Sequence, residues 1–229
     1  MTITMDAEAV DEAARALDGA TAEEILRWAA DTFGDTLCVT SSMAAAVVID
    51  LAAKVKPGID VVFLDTGYHF PETIGTRDAV ESVYPINLIN VTPTRTVEEQ
   101  DRDLGPRLHG RNPDLCCLLR KVQPLDHALA PYRAWISGVR RGETANRKGT
   151  GVVEYDGKRG KVKVNPIAAW TDEQVDAYIA EHNILVNPLT YDGFPSIGCA
   201  PCTRRVADGE DARAGRWAGT GKTECGIHL

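Results

Sequence analysis

Short apolar runs alternate with helix-forming stretches from about residue 37 to residue 139. Leu37-Cys38-Val39-Thr40 is a short apolar run that reads as a strand, Val61-Val62-Phe63-Leu64 reads as a buried one, and Ile86 to Val91 and Ala134 to Val139 read as two more. Between and around them lie helical segments. Thr21-Ala22-Glu23-Glu24 has the Thr-x-x-Glu form of a capping box and opens a helix through Trp28. Met43 to Ala53, Pro71 to Val83 and about Asp114 to Leu129 follow, and Thr171-Asp172-Glu173-Gln174 caps a helix running to about His182. From Asn187-Pro188 to Pro201 the chain is rich in Gly and Pro and reads as irregular. Strands alternating with helices predict an α/β fold, a doubly wound and mostly parallel sheet covered on both faces. In such folds ligands bind beyond the carboxyl ends of the strands, where the strand order switches.

At 229 residues with 44% hydrophobic positions, the chain can bury one large core without disulfide staples. Its first residues show no basic flank ahead of an apolar run, so no signal peptide is expected. The longest aliphatic run, Met43 to Ile49, stops at Asp50, too short to span a bilayer. These features predict a cytoplasmic protein, a compartment where clustered cysteines serve metals or catalysis more often than disulfides. Net charge is −8, unevenly spread: residues 1–100 carry 6 basic against 17 acidic side chains, and residues 101–229 carry 19 against 16. An acidic protein of this kind is a poor general nucleic-acid binder, while a local basic pocket for a small anion fits the second half.

The cysteines then narrow the chemistry. Cys116 and Cys117 are adjacent, Cys199 and Cys202 form a Cys-x-x-Cys, and Cys225 stands near the end of the chain. The first four suit a four-thiolate metal centre built from two distant segments. Spacing alone leaves an iron–sulfur cluster, a zinc site and a core of buried thiols open, with the cluster favoured. Cys225 reads equally as an incidental tail thiol or a catalytic one; Lys222 and His228 favour its thiolate and Glu224 opposes it. Cys38, inside an apolar strand, reads as core.

Two strand-end turns face the expected crevice. Thr40-Ser41-Ser42 precedes the alanine-rich helix, whose free N–H groups would favour an anion, although Ser there is also an ordinary cap. Leu64-Asp65-Thr66-Gly67 ends the next strand. Basic residues complete the set: Arg120 and Lys121 one turn after the cysteine pair, Gly138-Val139-Arg140-Arg141-Gly142 after a strand, then Arg147, Arg204, Arg205, Arg213 and Arg216. Guanidinium groups in such places can grip phosphate or sulfate bidentately.

Taken together, Cys116-Cys117-Leu118-Leu119-Arg120-Lys121-Val122-Gln123-Pro124-Leu125, Gly138-Val139-Arg140-Arg141, Gly198-Cys199-Ala200-Pro201-Cys202 and Lys222-Thr223-Glu224-Cys225-Gly226-Ile227-His228 resemble the assimilatory sulfonucleotide reductases. The likeness is to their iron–sulfur branch, the adenosine 5′-phosphosulfate (APS) reductases, and runs from about residue 40 to the end of the chain. It implies an adenine-nucleotide-hydrolase-like fold, with a reductase domain over residues 1–205 and a mobile tail over 206–229 that carries the nucleophile. It also implies a [4Fe–4S] cluster on Cys116, Cys117, Cys199 and Cys202, and reduction of APS to sulfite and AMP with thioredoxin as electron donor. In that scheme Cys225, Lys121 and His228 are catalytic. Ser41, Ser42, Leu64, Asp65, Thr66, Gly67, Arg120, Gly138, Arg140, Arg141, Arg147, Arg213 and Arg216 hold the substrate. No nucleic-acid or membrane partner is implied, and assembly into a homo-oligomer is left open. One departure is visible. The family often carries an acid shortly after the serines, where this chain reads Ser41-Ser42-Met43-Ala44-Ala45-Ala46. The rival readings are reduction of the 3′-phosphorylated nucleotide (PAPS), an ATP-pyrophosphatase-type sulfur-transfer enzyme, and a non-catalytic metal sensor.

Overall fold

The computed structural model describes residues 5–228. Two helices, α1 (Ala7–Ala16) and α2 (Ala22–Phe33), precede strand β1 (Leu37–Ser41). Then come α3 (Val47–Val55), β2 (Ile59–Leu64), α4 (Pro71–Val83), β3 (Ile86–Val91) and α5 (Val97–Leu104). The short α6 (Leu108–Arg111) and α7 (Pro113–Cys117) lead through a widened π turn, Leu118–Val122, into α8 (Gln123–Ala128). Strand β4 (Ala134–Ile136), the hairpin β5 (Val153–Asp156) and β6 (Lys161–Val164), and α9 (Asp172–His182) complete the regular structure. Among the described residues, no helix is long and apolar enough to cross a membrane.

The six strands form one sheet in the order β3-β2-β1-β4-β6-β5, parallel throughout except for β5. The order reverses between β1 and β4, which is where a doubly wound sheet opens its ligand crevice. Alternate residues serve opposite faces. Val39, Val61 and Ile136 enter the larger core with Ile25, Leu26 and Ile49 of the helices α2 and α3. Cys38, Val62 and Trp135 pack on the other side against Leu125 and Leu129 beside α8. Cys38 is fully buried, and burial pushes its thiol pKa up, as expected of a core residue.

Strong local signals place several elements as expected. The Thr21–Glu24 and Thr171–Gln174 capping boxes are both closed, and α4 and β3 span their predicted residues. Three boundaries differ. The helix after β1 starts at Val47 rather than Met43: Met43 takes a left-handed backbone with φ 58°, and Ala44 to Ala46 pair instead with the 185–187 segment. The predicted strand through Val139 ends at Ile136. The stretch from Asp114 to Leu129 is helical but widens just before Pro124, which has no N–H to return to the preceding turn.

Candidate active site

Because β1, β2 and β4 run parallel, their carboxyl ends reach one edge together. That edge carries Ser41, the Leu64–Gly67 turn and Gly138. The Ser41 hydroxyl accepts from the Met43 N–H at 3.1 Å and thereby braces the left-handed turn. Ser42 is exposed beside it. With the helix opening at Val47, these serines lie ahead of its N-terminus instead of capping it. Asp65 accepts from the Gly67 N–H at 3.0 Å, and Arg77 lies 3.6 Å from its other oxygen. Gly67 has φ 72°, a value that Gly adopts without strain. Leu64 stays half-buried against the smaller core, and Gly138 follows β4 directly.

Beyond this edge, Cys116, Cys117, Cys199 and Cys202 line a single cavity. Two elements bring them there. The turn of helix α7 presents the adjacent pair, and the short 3-10 turn Ala200–Cys202 presents the other two. That turn is tied in by the Ala200 N–H donating to the Tyr68 carbonyl at 2.7 Å. The Thr66 hydroxyl lies 3.3 Å from the Cys199 sulfur. All four cysteines are free thiols. Burial, then the neighbouring sulfurs, pushes the Cys116 thiol up to about 12, and burial with Cys199 pushes Cys202 up to about 11. Among the described residues, no three His, Cys, Asp or Glu side chains are gathered tightly enough to hold a single metal ion.

Lys121 lines the same cavity. Burial alone would lower its pKa, but the Cys199, Cys225 and Cys117 sulfurs outweigh it and raise the ammonium pKa. Arg216 lies close by: its Nη1 donates to the Ser196 hydroxyl at 3.1 Å and the Ile197 carbonyl at 3.2 Å, and its guanidinium lies 4.5 Å from the Trp217 ring centre. Its Nε is buried without a partner. Burial and then Arg213 lower the Arg216 pKa, against the sulfurs of Cys225, Cys199 and Cys202. A side chain at Gly198 would overlap this guanidinium, so the small residue ahead of Cys199 makes room for it.

The segment after residue 202 is docked. The Trp217 N–H donates to the Cys202 carbonyl at 2.9 Å, and Thr203 bridges Arg216. Lys222 pairs with Asp114. The buried Glu224 accepts from Arg147 Nε at 3.0 Å and Nη2 at 2.9 Å, from the Thr144 hydroxyl at 3.3 Å and from Arg213 Nη2 at 3.4 Å. Arg147 also pairs with Glu143. Burial would lower the Arg147 pKa, yet Glu224 and Glu143 together raise it. The Ile227 carbonyl accepts from Arg159 at 3.2 Å, and the His228 ring stacks on Trp135 with centroids 5.8 Å apart. Burial, then Lys163 and Arg147, holds the His228 imidazole well below its ordinary pKa.

The structure thus brings Lys121 to the four thiols and gathers Arg147 and Arg213 around the residue next to Cys225, whose sulfur lies near enough to Lys121 and Arg216 to oppose the burial that lowers their pKa values. Three predicted substrate contacts are otherwise engaged. Arg120 is buried; its Nε donates to the Thr66 carbonyl at 2.5 Å, and its Nη1 to the Arg95 carbonyl and Gln100 Oε1, both at 3.2 Å. Arg140 pairs with Asp172 at 2.6 Å, and Arg141 Nε donates to the Thr150 carbonyl at 2.7 Å. Sequence reasoning did not single out Tyr68 and Trp217, which line the thiol cavity, or Thr144, which donates to Glu224. Single aromatic and hydroxyl residues carry no local signal of such roles.

Residues 36–205 match the family described as phosphoadenosine phosphosulfate reductase domain. The chain is 65% identical to adenosine 5′-phosphosulfate reductase of Streptomyces coelicolor, covering 95% of this chain and 92% of that protein. It is 56% identical to the enzyme of that name from Mycolicibacterium smegmatis, covering 97% and 94%. Among solved structures, a phosphoadenylyl-sulfate (PAPS) reductase from Candida auris in complex with phosphate is similar, with a TM-score of 0.76 and 30% identity over 89% of this chain and all of that one.

Proposed function

This chain belongs to the phosphoadenosine phosphosulfate reductase family, and from that premise we propose that it reduces adenosine 5′-phosphosulfate to sulfite and AMP, with Cys225 as nucleophile and thioredoxin as reductant. The observation that carries the reading is the gathering of Lys121 with Cys116, Cys117, Cys199 and Cys202 around one cavity, with Glu224, the residue before Cys225, docked on Arg147 and Arg213.

The chemistry follows from that placement. The Cys225 thiolate attacks the sulfur of the phosphosulfate; a sulfur–sulfur bond forms, the bond from sulfur to the bridging oxygen breaks, and AMP departs with the electron pair. Approach of one anion to another is unfavourable, and the cationic Lys121, Arg213 and Arg216 offset it while stabilising charge on the departing phosphate. Ser41, Ser42, the Leu64–Gly67 turn, Gly138 and Arg147 line the route for the nucleotide. A thioredoxin thiolate then attacks the Cys225 sulfur and expels sulfite, and its second thiol resolves the mixed disulfide. The second step requires Cys225 to become reachable, so the docked tail has to open. His228, seated on Trp135, serves here as an anchor of the closed tail.

The four thiols suit an iron–sulfur cluster, because all line one cavity and four cysteine thiolates are the ordinary ligand set of such a cluster. Held by Cys116, Cys117, Cys199 and Cys202, such a cluster would supply electrostatic tuning next to Lys121. Thiol chemistry already accounts for both electrons of the reduction. The iron–sulfur ligand set and the likeness to the Streptomyces coelicolor and Mycolicibacterium smegmatis enzymes favour APS over PAPS as substrate. The test is sulfite release from each nucleotide with reduced thioredoxin: the reading predicts a kcat/KM at least about tenfold higher for APS, and equal values or a preference for PAPS would reject that assignment.

A further inference from the structure

Arg147 and Arg213 stand under two demands that conflict. The proposed reaction, on which this inference rests, assigns Arg213 to the departing phosphate and Arg147 to the nucleotide that carries it. In the closed tail both already face the Glu224 carboxylate, whose side chain is 6% exposed. Arg147 grips it with two parallel bonds, at 3.0 and 2.9 Å, the geometry by which guanidinium recognises phosphate or sulfate. We infer that Glu224 is a built-in competitor of the nucleotide, filling its anion-binding arginine pair while the tail is closed.

Charge balance sets the direction of the exchange. Glu143 and Glu224 face Arg147 and Arg213, and Arg140, 4.0 Å from Glu143, is itself paired with Asp172, so negative and positive charges balance three against three. A nucleotide anion entering beside Glu224 would leave buried negative charge without a partner, which is costly. Releasing Glu224 frees the pair for the ligand. Because Glu224 immediately precedes Cys225, the same release shifts the segment that carries the nucleophile. Glu224 is therefore a positioning residue with two effects: it seats Cys225 when the site is empty, and it lowers the apparent affinity for nucleotide by the fraction of molecules in the latched state.

The test is AMP binding to the iron-loaded full chain, measured by calorimetry for wild type and Glu224→Gln. The inference predicts AMP binding at least about threefold tighter in the variant, and Cys225 alkylation at least about threefold faster in the ligand-free variant at fixed pH. Mere loss of structure would weaken binding, so tightening separates the two explanations. Thr144→Val, which removes only the hydroxyl donor to Glu224, should move both readouts the same way by less. Wild type that binds AMP, with Glu224→Gln binding it equally or more weakly, overturns the latch and leaves the proposed function standing. Wild type that does not bind AMP defeats the proposed function, and the latch with it.

Discussion

Replacing Arg120 by Met separates a structural arginine from a ligand-binding one. The stem volume is kept, and the three closest bonds of the guanidinium, to the Thr66 and Arg95 carbonyls and Gln100 Oε1, are lost. Arg120 is 3% exposed, so these acceptors are left in a place that water reaches poorly. An acceptor stranded in that way costs about 1 kcal/mol or more, which puts the loss at about 3 kcal/mol for the three. For a chain of this size that corresponds to a fall in melting temperature of roughly 6–12 °C. The assay is anaerobic thermal unfolding of the iron-loaded protein, alongside KM for the nucleotide below the transition. The structure predicts the fall in stability with KM unchanged within about threefold, since Arg120 ties the Thr66 turn to the cysteine helix and not to the ligand. A shift under about 2 °C together with a tenfold rise in KM would refute this and return Arg120 to the substrate, where its place after the cysteine pair had suggested it belongs.

Two further outcomes follow from the site. Lys121→Ala should lower kcat by about a hundredfold or more with iron content intact, because it removes the cation beside the Cys225 and Cys199 sulfurs; unchanged turnover would remove Lys121 from the chemistry. For His228 the sign runs toward opening in acid. Its imidazole is held neutral by burial and by Lys163, Arg147, Arg159 and Arg213, so the released tail binds the proton more readily than the docked one. Docking is then at full strength above the ordinary histidine pKa of about 6.5, and weakens by up to about tenfold per pH unit below it until the depressed pKa is reached. Hydrogen exchange of residues 213–228, corrected for its intrinsic pH dependence, should report this, and protection that does not change from pH 7 to pH 5 would contradict it.

What the sequence made legible was local. The capping box of α9, the proline that opens α4 and the apolar runs of the strands carry their own signal, so these elements, β3 and the sheet class could be read directly. The left-handed turn at Met43 could not, because it depends on the 185–187 segment pairing with Ala44 to Ala46 from far along the chain. The hairpin of β5 and β6 went unread although Lys161-Val162-Lys163-Val164 alternates, a period-two signal shortened by the closeness of its turn. In the site, the cysteines were legible by type and spacing. The partners of the arginines were not: whether a guanidinium meets a ligand, a carbonyl or Glu224 is decided by tertiary packing. Glu224 itself looked from its neighbours like an obstacle to the Cys225 thiolate, and the fold instead buries its charge against Arg147 and Arg213.

The most direct test of the central claim is the intact mass of the protein after incubation with APS in the absence of thioredoxin. The account predicts one added sulfonate, mapped by peptide analysis to Cys225 and removed by reduced thioredoxin with release of sulfite. No added mass, or a sulfonate on any other cysteine, would contradict it.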